Sequence, residues 1–293
     1  MDFLRPASWR EALEIRAARP AATVLAGGTD VLVGLNFGHD RPEALLDLTA
    51  TGAEQEWSES DGVLRIGALL PYARLVDELG DRLPGLATAA RTVGSPQIRN
   101  RGTLGGNLGS ASPAGDGHPP LLASDARVEV ASVRGTRTLP VAEFFTGPKR
   151  NALAADELIA AVHVPTASGP QQFAKVGTRN AMVIAVCAFA IALHPDRRRI
   201  GTGVGSAGPV PFRATAAEDF LAAELTASDR WERPRELPDL VVRRFGELVA
   251  AAAPPVDDVR ATAGYRRHAL GVLARRTVLR VWDEHRNGRR SCA

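Results

Sequence analysis

Two glycines lie where a predicted strand passes into a predicted helix, and this arrangement suits the binding of an anionic group. The strand is predicted at residues 22–26, the turn is Gly27–Gly28, and the helix begins near Thr29 and Asp30. Unpaired backbone N–H groups at the start of a helix attract phosphate oxygens. The segment matches neither the dinucleotide fingerprint nor the lysine-bearing phosphate loop, so an ordinary strand-to-helix turn remains the alternative interpretation.

A second glycine-dense stretch, Arg99–Asp116, has no helical or strand period. A loop of this length inside a domain is either functional or disordered. Few charges follow Arg101, and the stretch leads directly into the buried-looking segment Leu121–Val130, which argues against disorder. We therefore predict an ordered loop whose backbone amides close around an anionic or extended ligand.

Three polar side chains are candidates for contacts with such a ligand. Asp116 could accept hydrogen bonds from ribose hydroxyls, although aspartate at this point of a loop also forms turns. Lys175 is one of only two lysines and lies in a predicted strand, where it could balance an anion such as a reduced flavin. A surface strand of alternating charge would place it there as well. We expect His118, a lone histidine beside Gly117, to be solvated.

The composition excludes several other kinds of site. Cys187 and Cys292 are the two cysteines, and two thiolates cannot hold an iron–sulfur cluster or a four-cysteine zinc ion. The histidines show no metalloprotease spacing, so no metal is predicted in this chain. No arrangement of serine, histidine and aspartate, or of cysteine and histidine, follows from order and spacing. The sequence therefore does not identify a catalytic residue.

The charge and the hydropathy of the chain limit the kinds of partner that it can bind and the compartments in which we expect it. The net charge is +3, and the basic residues are mixed with acidic ones except for an arginine cluster between Arg266 and Arg290. Without aromatic residues for stacking, this cluster predicts a solvated or partner-facing helix rather than a nucleic-acid surface. No apolar run reaches the roughly 18 residues of a membrane span, and the N-terminus lacks a signal-peptide core. We expect a cytoplasmic protein.

The elements that position these residues follow from periodicity and capping signals. Ser8 and Glu11 form a capping box for a helix over 8–18. Strands are predicted at 22–26, 44–48, 63–68, 127–131, 138–141 and 157–164, with a helical region over 71–91. Beyond the boundary at Ala167–Pro170, strands are predicted at 171–179, 183–193 and 199–205, followed by about three helices over 214–281. The segment 183–193 fits a buried helix equally well. The order of strands and then helices indicates an α+β protein.

Taken together, four motifs resemble those of one protein family in their order along the chain. They are Ala26–Asp30, Thr103–Asn107 with Ala111–Asp116, Phe144–Lys149 and Phe173–Arg179. Val204–Arg213 and Tyr265–Arg276 extend the similarity towards the C-terminus. The chain resembles the FAD-binding medium subunit of molybdenum hydroxylases, of the carbon monoxide dehydrogenase and xanthine dehydrogenase type.

The resemblance implies a fold and a set of cofactor-binding residues. The expected fold is a two-subdomain FAD-binding unit of the vanillyl-alcohol-oxidase type over 1–168, divided at about 55 and 56, followed by a small antiparallel sheet with a three-helix bundle over 169–293. The pyrophosphate would be wrapped by Ala26, Gly27, Gly28, Thr29, Asp30, Val31, Leu32 and Val33. A second loop would contact phosphate and flavin through Thr103, Gly105, Gly106 and Asn107. Asp116 would contact polar groups of the cofactor, and the isoalloxazine would be lined by Val93, Ile159 and Lys175.

The resemblance also implies partners. A large subunit would carry a molybdenum cofactor, and a small subunit would carry two [2Fe–2S] clusters that pass electrons to this FAD. NAD, oxygen, a quinone or another acceptor would then receive them. Two alternatives stay open: a stand-alone FAD-dependent oxidoreductase built on the same scaffold, and a flavin-free binding or scaffolding protein.

Overall fold

The computed structural model describes residues 1–39, 41–254 and 256–288. The N-terminal part of the chain forms a small parallel sheet. Its strands are β1 (Asp2–Leu4), β2 (Thr23–Leu25) and β3 (Ala44–Asp47), with β3 in the centre. Parallel neighbours need crossover connections, and helices α1 (Trp9–Ala18) and α2 (Val31–Asn36) provide them. The carboxyl end of β2 leads directly into Gly27.

Helix α1 begins as its capping box predicts. The Ser8 hydroxyl accepts the Glu11 N–H at 3.2 Å, and the Glu11 carboxylate accepts the Ala7 N–H at 2.7 Å. The first contact satisfies a backbone donor that a helix start otherwise leaves unpaired, whereas the Glu11 carboxylate reaches the N–H of the residue before the cap rather than that of Ser8.

A five-stranded antiparallel sheet follows, in the order β4-β5-β10-β6-β7. Its strands are β4 (Trp57–Ser60), β5 (Val63–Gly67), β6 (Arg127–Ser132), β7 (Gly135–Pro140) and β10 (Leu158–Pro165), and the short pair β8 (Phe145–Gly147) and β9 (Arg150–Asn151) lies between β7 and β10 in the chain. Strands β6 and β7, in the region of the strands predicted at 127–131 and 138–141, pair with each other as an antiparallel hairpin. The region 71–91 contains two helices, α3 (Tyr72–Leu79) and α4 (Pro84–Arg91).

The glycine-dense stretch is largely helical, so the prediction of an irregular loop was wrong. It contains α5 (Pro96–Arg101) and α6 (Leu104–Ser110), and α7 (His118–Ala123) and α8 (Val141–Phe144) follow. Hydroxyl caps start the two helices: Ser95 accepts the Ile98 N–H, and Thr103 accepts the Gly106 N–H at 2.9 Å. Leu104 and Leu108 are fully buried. Their burial overrides the low helix propensity of the neighbouring glycines.

The C-terminal part is a three-stranded antiparallel meander covered by three helices. The strands are β11 (Gln171–Val176), β12 (Cys187–His194) and β13 (Arg199–Gly205), and the helices are α9 (Thr215–Ala227), α10 (Asp239–Ala252) and α11 (Ala263–Arg286). The ambiguous segment 183–193 is therefore a strand rather than a helix over most of its length. The α+β class is confirmed.

The two faces of β12 explain how the C-terminal sheet packs. Cys187 and Phe189 belong to the core shared with the helices of the bundle, whereas Ala188 and Ala190 pack with Ala123 at the end of α7. Small residues on this second face allow helix and sheet backbones to approach closely. This contact brings β11 next to the segment that precedes α7.

Candidate functional site

A cleft of about 700 Å³ runs between the turn after β2, helix α6 and the loop before β12. This volume is typical of sites for small molecules and cofactors. The turn contributes Gly27 and Gly28, the helix contributes Gly105 and Gly106, and the loop contributes Ile184. Segments far apart in the sequence therefore form one elongated site.

Close backbone contacts fix the shape of the glycine-lined walls. A methyl group on Gly27 would lie 1.8 Å from the carbonyl oxygen of Arg101, and one on Gly105 would lie 2.5 Å from the carbonyl oxygen of Ala68. Only glycine permits these approaches. Both wall segments are thus held against neighbouring backbone instead of hanging free in solvent.

Backbone donors of the turn remain available for a ligand. Within the described residues, the N–H groups of Gly27, Gly28, Thr29 and Asp30 donate no hydrogen bond to the protein. Successive free N–H groups form a concave site that favours anions. The arrangement can bind phosphate oxygens without any lysine.

Most of the residues predicted from the sequence lie along this cleft. Those that line it are Ala26, Gly27, Gly28, Thr29, Asp30, Val31, Val93, Thr103, Gly105, Gly106, Asn107, Asp116 and Ile159. Leu32 and Val33 lie on α2 with about half of their surface exposed, and they are outside the lining. Lys175 also lies behind the lining rather than in it.

The ammonium group of Lys175 connects three segments of the cleft wall. It donates to the Asp116 carboxylate at 2.7 Å, to the Thr92 carbonyl at 3.0 Å and to the Val183 carbonyl at 3.4 Å. Both charged side chains are only 11% exposed. Because an ammonium group has three protons, these contacts use its whole donor capacity.

Asp116 keeps one oxygen free beside the cleft. Its Oδ2 binds Lys175, whereas its buried Oδ1 has no hydrogen-bond partner in the described residues. The neighbouring Thr92 hydroxyl donates to the Ala89 carbonyl instead. Burial raises the pKa of the Asp116 carboxyl, and the charge of Lys175 opposes this shift.

Tyr72 lines the cleft as well, and sequence reasoning missed it. Its ring is 2% exposed, and its buried hydroxyl has no partner in the described residues. Burial raises the pKa of the Tyr72 phenol above its ordinary value, and the charge of Asp116 adds to this effect. In a sequence, an aromatic residue at the start of a helix indicates core packing. The sequence therefore gives no sign that Tyr72 lines a cleft.

The other end of the cleft carries an arginine that was also missed. Arg16 of α1 donates from Nη1 to the Ala22 carbonyl at 2.8 Å, and its buried Nε has no partner in the described residues. Burial lowers the pKa of Arg16, while Asp156 opposes the change. Pro20, Val24 and Ala154 surround this end with apolar surface.

His118 does not behave as a solvated loop residue, so that prediction was wrong. Its side chain is fully buried, its Nε2 lies 3.1 Å from the Asn107 carbonyl, and its ring packs 4.6 Å from that of Phe145. Burial lowers the pKa of His118 to about 4. The neutral ring braces the segment between α6 and α7 from behind and does not line the cleft.

The segment Phe144–Lys149 supports the site indirectly. Phe144 is fully buried in the core of the five-stranded sheet, and the Lys149 N–H donates to the Ala111 carbonyl at the end of α6. Nearby, the Asn151 carboxamide donates to the Gly109 carbonyl at 2.9 Å and itself lines the cleft. These contacts hold α6 in place.

The described part of the chain contains neither a metal-binding cluster nor a membrane-spanning helix. No group of three or more histidine, cysteine or acidic side chains lies close enough together there to hold a metal ion. No helix there is both long and apolar enough to cross a bilayer. Cys292 and the last arginines of the predicted basic cluster, Arg289 and Arg290, lie outside the described residues.

Comparison with known families assigns a match to almost the whole chain. Residues 1–167 match the FAD binding domain in molybdopterin dehydrogenase, and residues 172–281 match the CO dehydrogenase flavoprotein C-terminal domain.

Individual proteins are similar over most of their length. A putative xanthine dehydrogenase FAD-binding subunit of Escherichia coli (strain K12) is 32% identical over 287 residues, which is 94% of each chain. The nicotinate dehydrogenase FAD-subunit of Eubacterium barkeri is 32% identical and covers 75% of this chain and 79% of its own. A carbon monoxide dehydrogenase chain from Hydrogenophaga pseudoflava superposes with a TM-score of 0.87 at 25% identity and covers 97% of this chain and 98% of its own.

Proposed function

Because the chain belongs to the FAD-binding subunits of the molybdenum hydroxylase family, we propose that its cleft holds FAD between the turn at Ala26–Asp30 and helix α6. The chain is an FAD-dependent oxidoreductase subunit. The observation that carries the proposed site is that Gly27, Gly28, Thr29 and Asp30 all line the cleft and that their N–H groups donate to no partner in the described residues, an arrangement that suits a pyrophosphate.

The chemistry of the lining fits FAD in three further ways. Gly27 packs against the backbone of Arg101 and Gly105 against Ala68, so the turn and the helix that line the cleft are held in fixed positions for a ligand. Asp116 Oδ1 is a buried acceptor that needs a donor from a ligand. The apolar surfaces of Val93, Ile159 and Ile184 suit a flat ring system.

Lys175 is a positioning residue in this proposal. It binds Asp116 and the carbonyl groups of Thr92 and Val183, and the residues next to those carbonyls, Val93 and Ile184, line the cleft. The ammonium group would therefore set the spacing of three wall segments around the cofactor. Its positive charge lies behind the residues that line the cleft, and it would also favour negative charge on a bound ring system.

FAD, when bound, supplies the ability to take up electrons from a metal centre and to pass them to a second acceptor. We propose that the electrons come from the molybdenum cofactor of a large partner subunit through [2Fe–2S] clusters of a small partner subunit. NAD, oxygen or a quinone would be the final acceptor. The names of two relatives support a partnership: one is a nicotine 6-hydroxylase medium subunit and the other is a glyceraldehyde dehydrogenase medium chain.

Purification of the untagged complex from cells that naturally produce the chain tests this function. We expect about one FAD per chain by absorbance after denaturation, with molybdenum and iron in the same chromatographic peak. A yellow chain that contains no metal and oxidises a small substrate alone would support the stand-alone oxidoreductase instead. A colourless chain that stays colourless after addition of FAD would overturn the proposal.

A further inference from the structure

Tyr72 is held rigidly at the wall of the cleft. Its N–H donates to the Gly102 carbonyl at 2.9 Å, and Pro71 pairs with Thr103 in an isolated antiparallel bridge. A methyl group on Gly102 would lie 3.6 Å from the Tyr72 ring, so the ring packs under the connection between α5 and α6. Because the backbone and the ring are both fixed, the hydroxyl has a defined position.

The hydroxyl of Tyr72 lies beside the segment that carries Asp116. A methyl group on Gly117 would lie 3.0 Å from this hydroxyl and 3.1 Å from the Asn107 carboxamide oxygen. That oxygen already accepts the Gly117 N–H at 3.3 Å. Within the described residues, the phenol neither donates to it nor to any other group.

Leaving a buried hydroxyl without a partner is costly, and replacement by phenylalanine would avoid the cost. Asp116 Oδ1 is a second buried, unpartnered oxygen that lines the same cleft. A phenol can donate a hydrogen bond, whereas an ionised carboxylate oxygen can only accept one. A single ligand group that pairs with both oxygens has to accept from the phenol and donate to the carboxylate, and a sugar-type hydroxyl can do both.

We propose that Tyr72 is a further cofactor-binding residue, which donates a hydrogen bond to a sugar-type hydroxyl of bound FAD while Asp116 Oδ1 accepts the proton of that hydroxyl. The inference rests on the proposed function, since it needs FAD in the cleft. FAD has two sources of this chemistry, the ribose of its adenosine half and the ribityl chain of its flavin half. The shared feature is a hydroxyl between two buried oxygens.

The chain offers a matched control, because Tyr72 and Tyr265 are its only tyrosines. Tyr265 lies on α11 with 51% of its surface exposed. We would prepare full-length chains with Tyr72→Phe or Tyr265→Phe, remove FAD, and measure the FAD Kd by flavin fluorescence and the Tm of each flavin-free chain.

We expect Tyr72→Phe to weaken FAD binding about tenfold, since a buried hydrogen bond is lost. The Tm of the flavin-free chain should stay the same or rise, because the variant no longer buries an unpaired hydroxyl. Tyr265→Phe should change neither quantity. Titrations with ADP and FMN then separate the two sources: weaker ADP binding indicates the ribose, and weaker FMN binding indicates the ribityl chain.

Two results would overturn the role of Tyr72. One is an FAD Kd within twofold of that of the unsubstituted chain. The other is a fall in the flavin-free Tm that accompanies the weaker binding, which indicates a purely structural role. In both cases the unsubstituted chain still binds FAD, so the proposed function stands. If the unsubstituted chain does not bind FAD, the proposed function and this inference fail together.

Discussion

The ion pair of Lys175 and Asp116 connects the C-terminal sheet to the cleft. Lys175→Met leaves a buried carboxyl without its cation, and breaking such a pair typically costs about 3 kcal/mol or more of unfolding free energy. We expect a loss of this size for Lys175→Met in urea denaturation. The double variant with Asp116→Asn should lose less than the sum of the two single variants.

Lys149 is the matched control, because it is the other lysine and is exposed. Lys149→Met should change the unfolding free energy by less than about 0.5 kcal/mol. If Lys175→Met were as mild as Lys149→Met, the ammonium group would not support the cleft wall.

His118 gives the chain a pH-dependent stability. Its pKa falls from 6.5 to about 4 on folding, because burial disfavours the charged ring. The folded state therefore has its full stability above pH 6.5, where the ring is neutral in both the folded and the unfolded state. The free energy of unfolding decreases as the pH falls from 6.5 towards 4, because the unfolded chain takes up the proton first. The effect amounts to at most about 3 kcal/mol.

His118→Gln removes this titration, and His268→Gln on the exposed face of α11 is the control. We expect the difference in Tm between pH 7 and pH 4.5 to shrink in the first variant and to stay unchanged in the second. An equal pH dependence in all three chains would contradict a buried neutral histidine.

Residue types and their spacing identify Asp116 and Lys175 as candidate site residues, but they do not identify Tyr72 or Arg16. Asp116 lies in an unusual glycine-rich context, and Lys175 is a rare residue type in this chain, so both are visible in the sequence. Tyr72 and Arg16 lie in ordinary amphipathic helices. Their importance depends on unpaired polar atoms that only the packed structure reveals.

At the scale of elements, helix α6 places its glycines against two different surroundings. A methyl group on Gly105 would lie 2.5 Å from both the Cβ atom and the carbonyl oxygen of Ala68, whereas the nearest atom to one on Gly109 is 3.8 Å away. Gly105→Ala should therefore lower the unfolding free energy of the flavin-free chain by about 2 kcal/mol. Gly109→Ala should raise it by about 0.5–1 kcal/mol, because alanine is the better helix former.

Both variants lie in one helix, so urea denaturation of the two compares packing at equal helix propensity. Equal effects on stability would mean that α6 does not press against Ala68.

Helices α5 and α6 show what sequence reasoning overlooked. Ser95 and Thr103 are their N-cap residues and are visible in the sequence, yet the density of glycine favours a loop. The burial of Leu104 and Leu108 in the folded chain stabilises helix α6 despite its glycines.

At the scale of the whole molecule, we propose that the boundary between the two domains lies near residue 168. Two observations support it: β10 ends at Pro165, and one core cluster, whose buried members run from Cys187 to Trp282, is distinct from the cluster whose buried members run from Leu64 to Val164. The division of the first domain near residue 55 stays a proposal in the same sense. The small parallel sheet before it has a separate cluster that contains Ala44 and Leu46 and that also takes in Leu69 and Leu158 from the second part.

The two parts meet where β13 crosses α7, and this contact sets the distance between Lys175 and Asp116. A methyl group on Gly203 would lie 1.9 Å from the Pro119 carbonyl oxygen, so Gly203→Ala must push the sheet away from α7. Lys175 belongs to that sheet, and Asp116 immediately precedes α7, so their contact should lengthen. We expect at least a tenfold weaker FAD Kd, together with a lower Tm.

Gly264→Ala is the control, because among the described residues no neighbouring atom lies within 4 Å of the added methyl group on α11. It should leave the FAD Kd unchanged. FAD affinity measured by fluorescence, at temperatures well below the Tm of each chain, separates weaker binding from partial unfolding. If Gly203→Ala lowered the Tm but bound FAD like the unsubstituted chain, the cleft would not depend on how the C-terminal sheet packs. Its cofactor affinity would then be a property of the N-terminal two sheets alone.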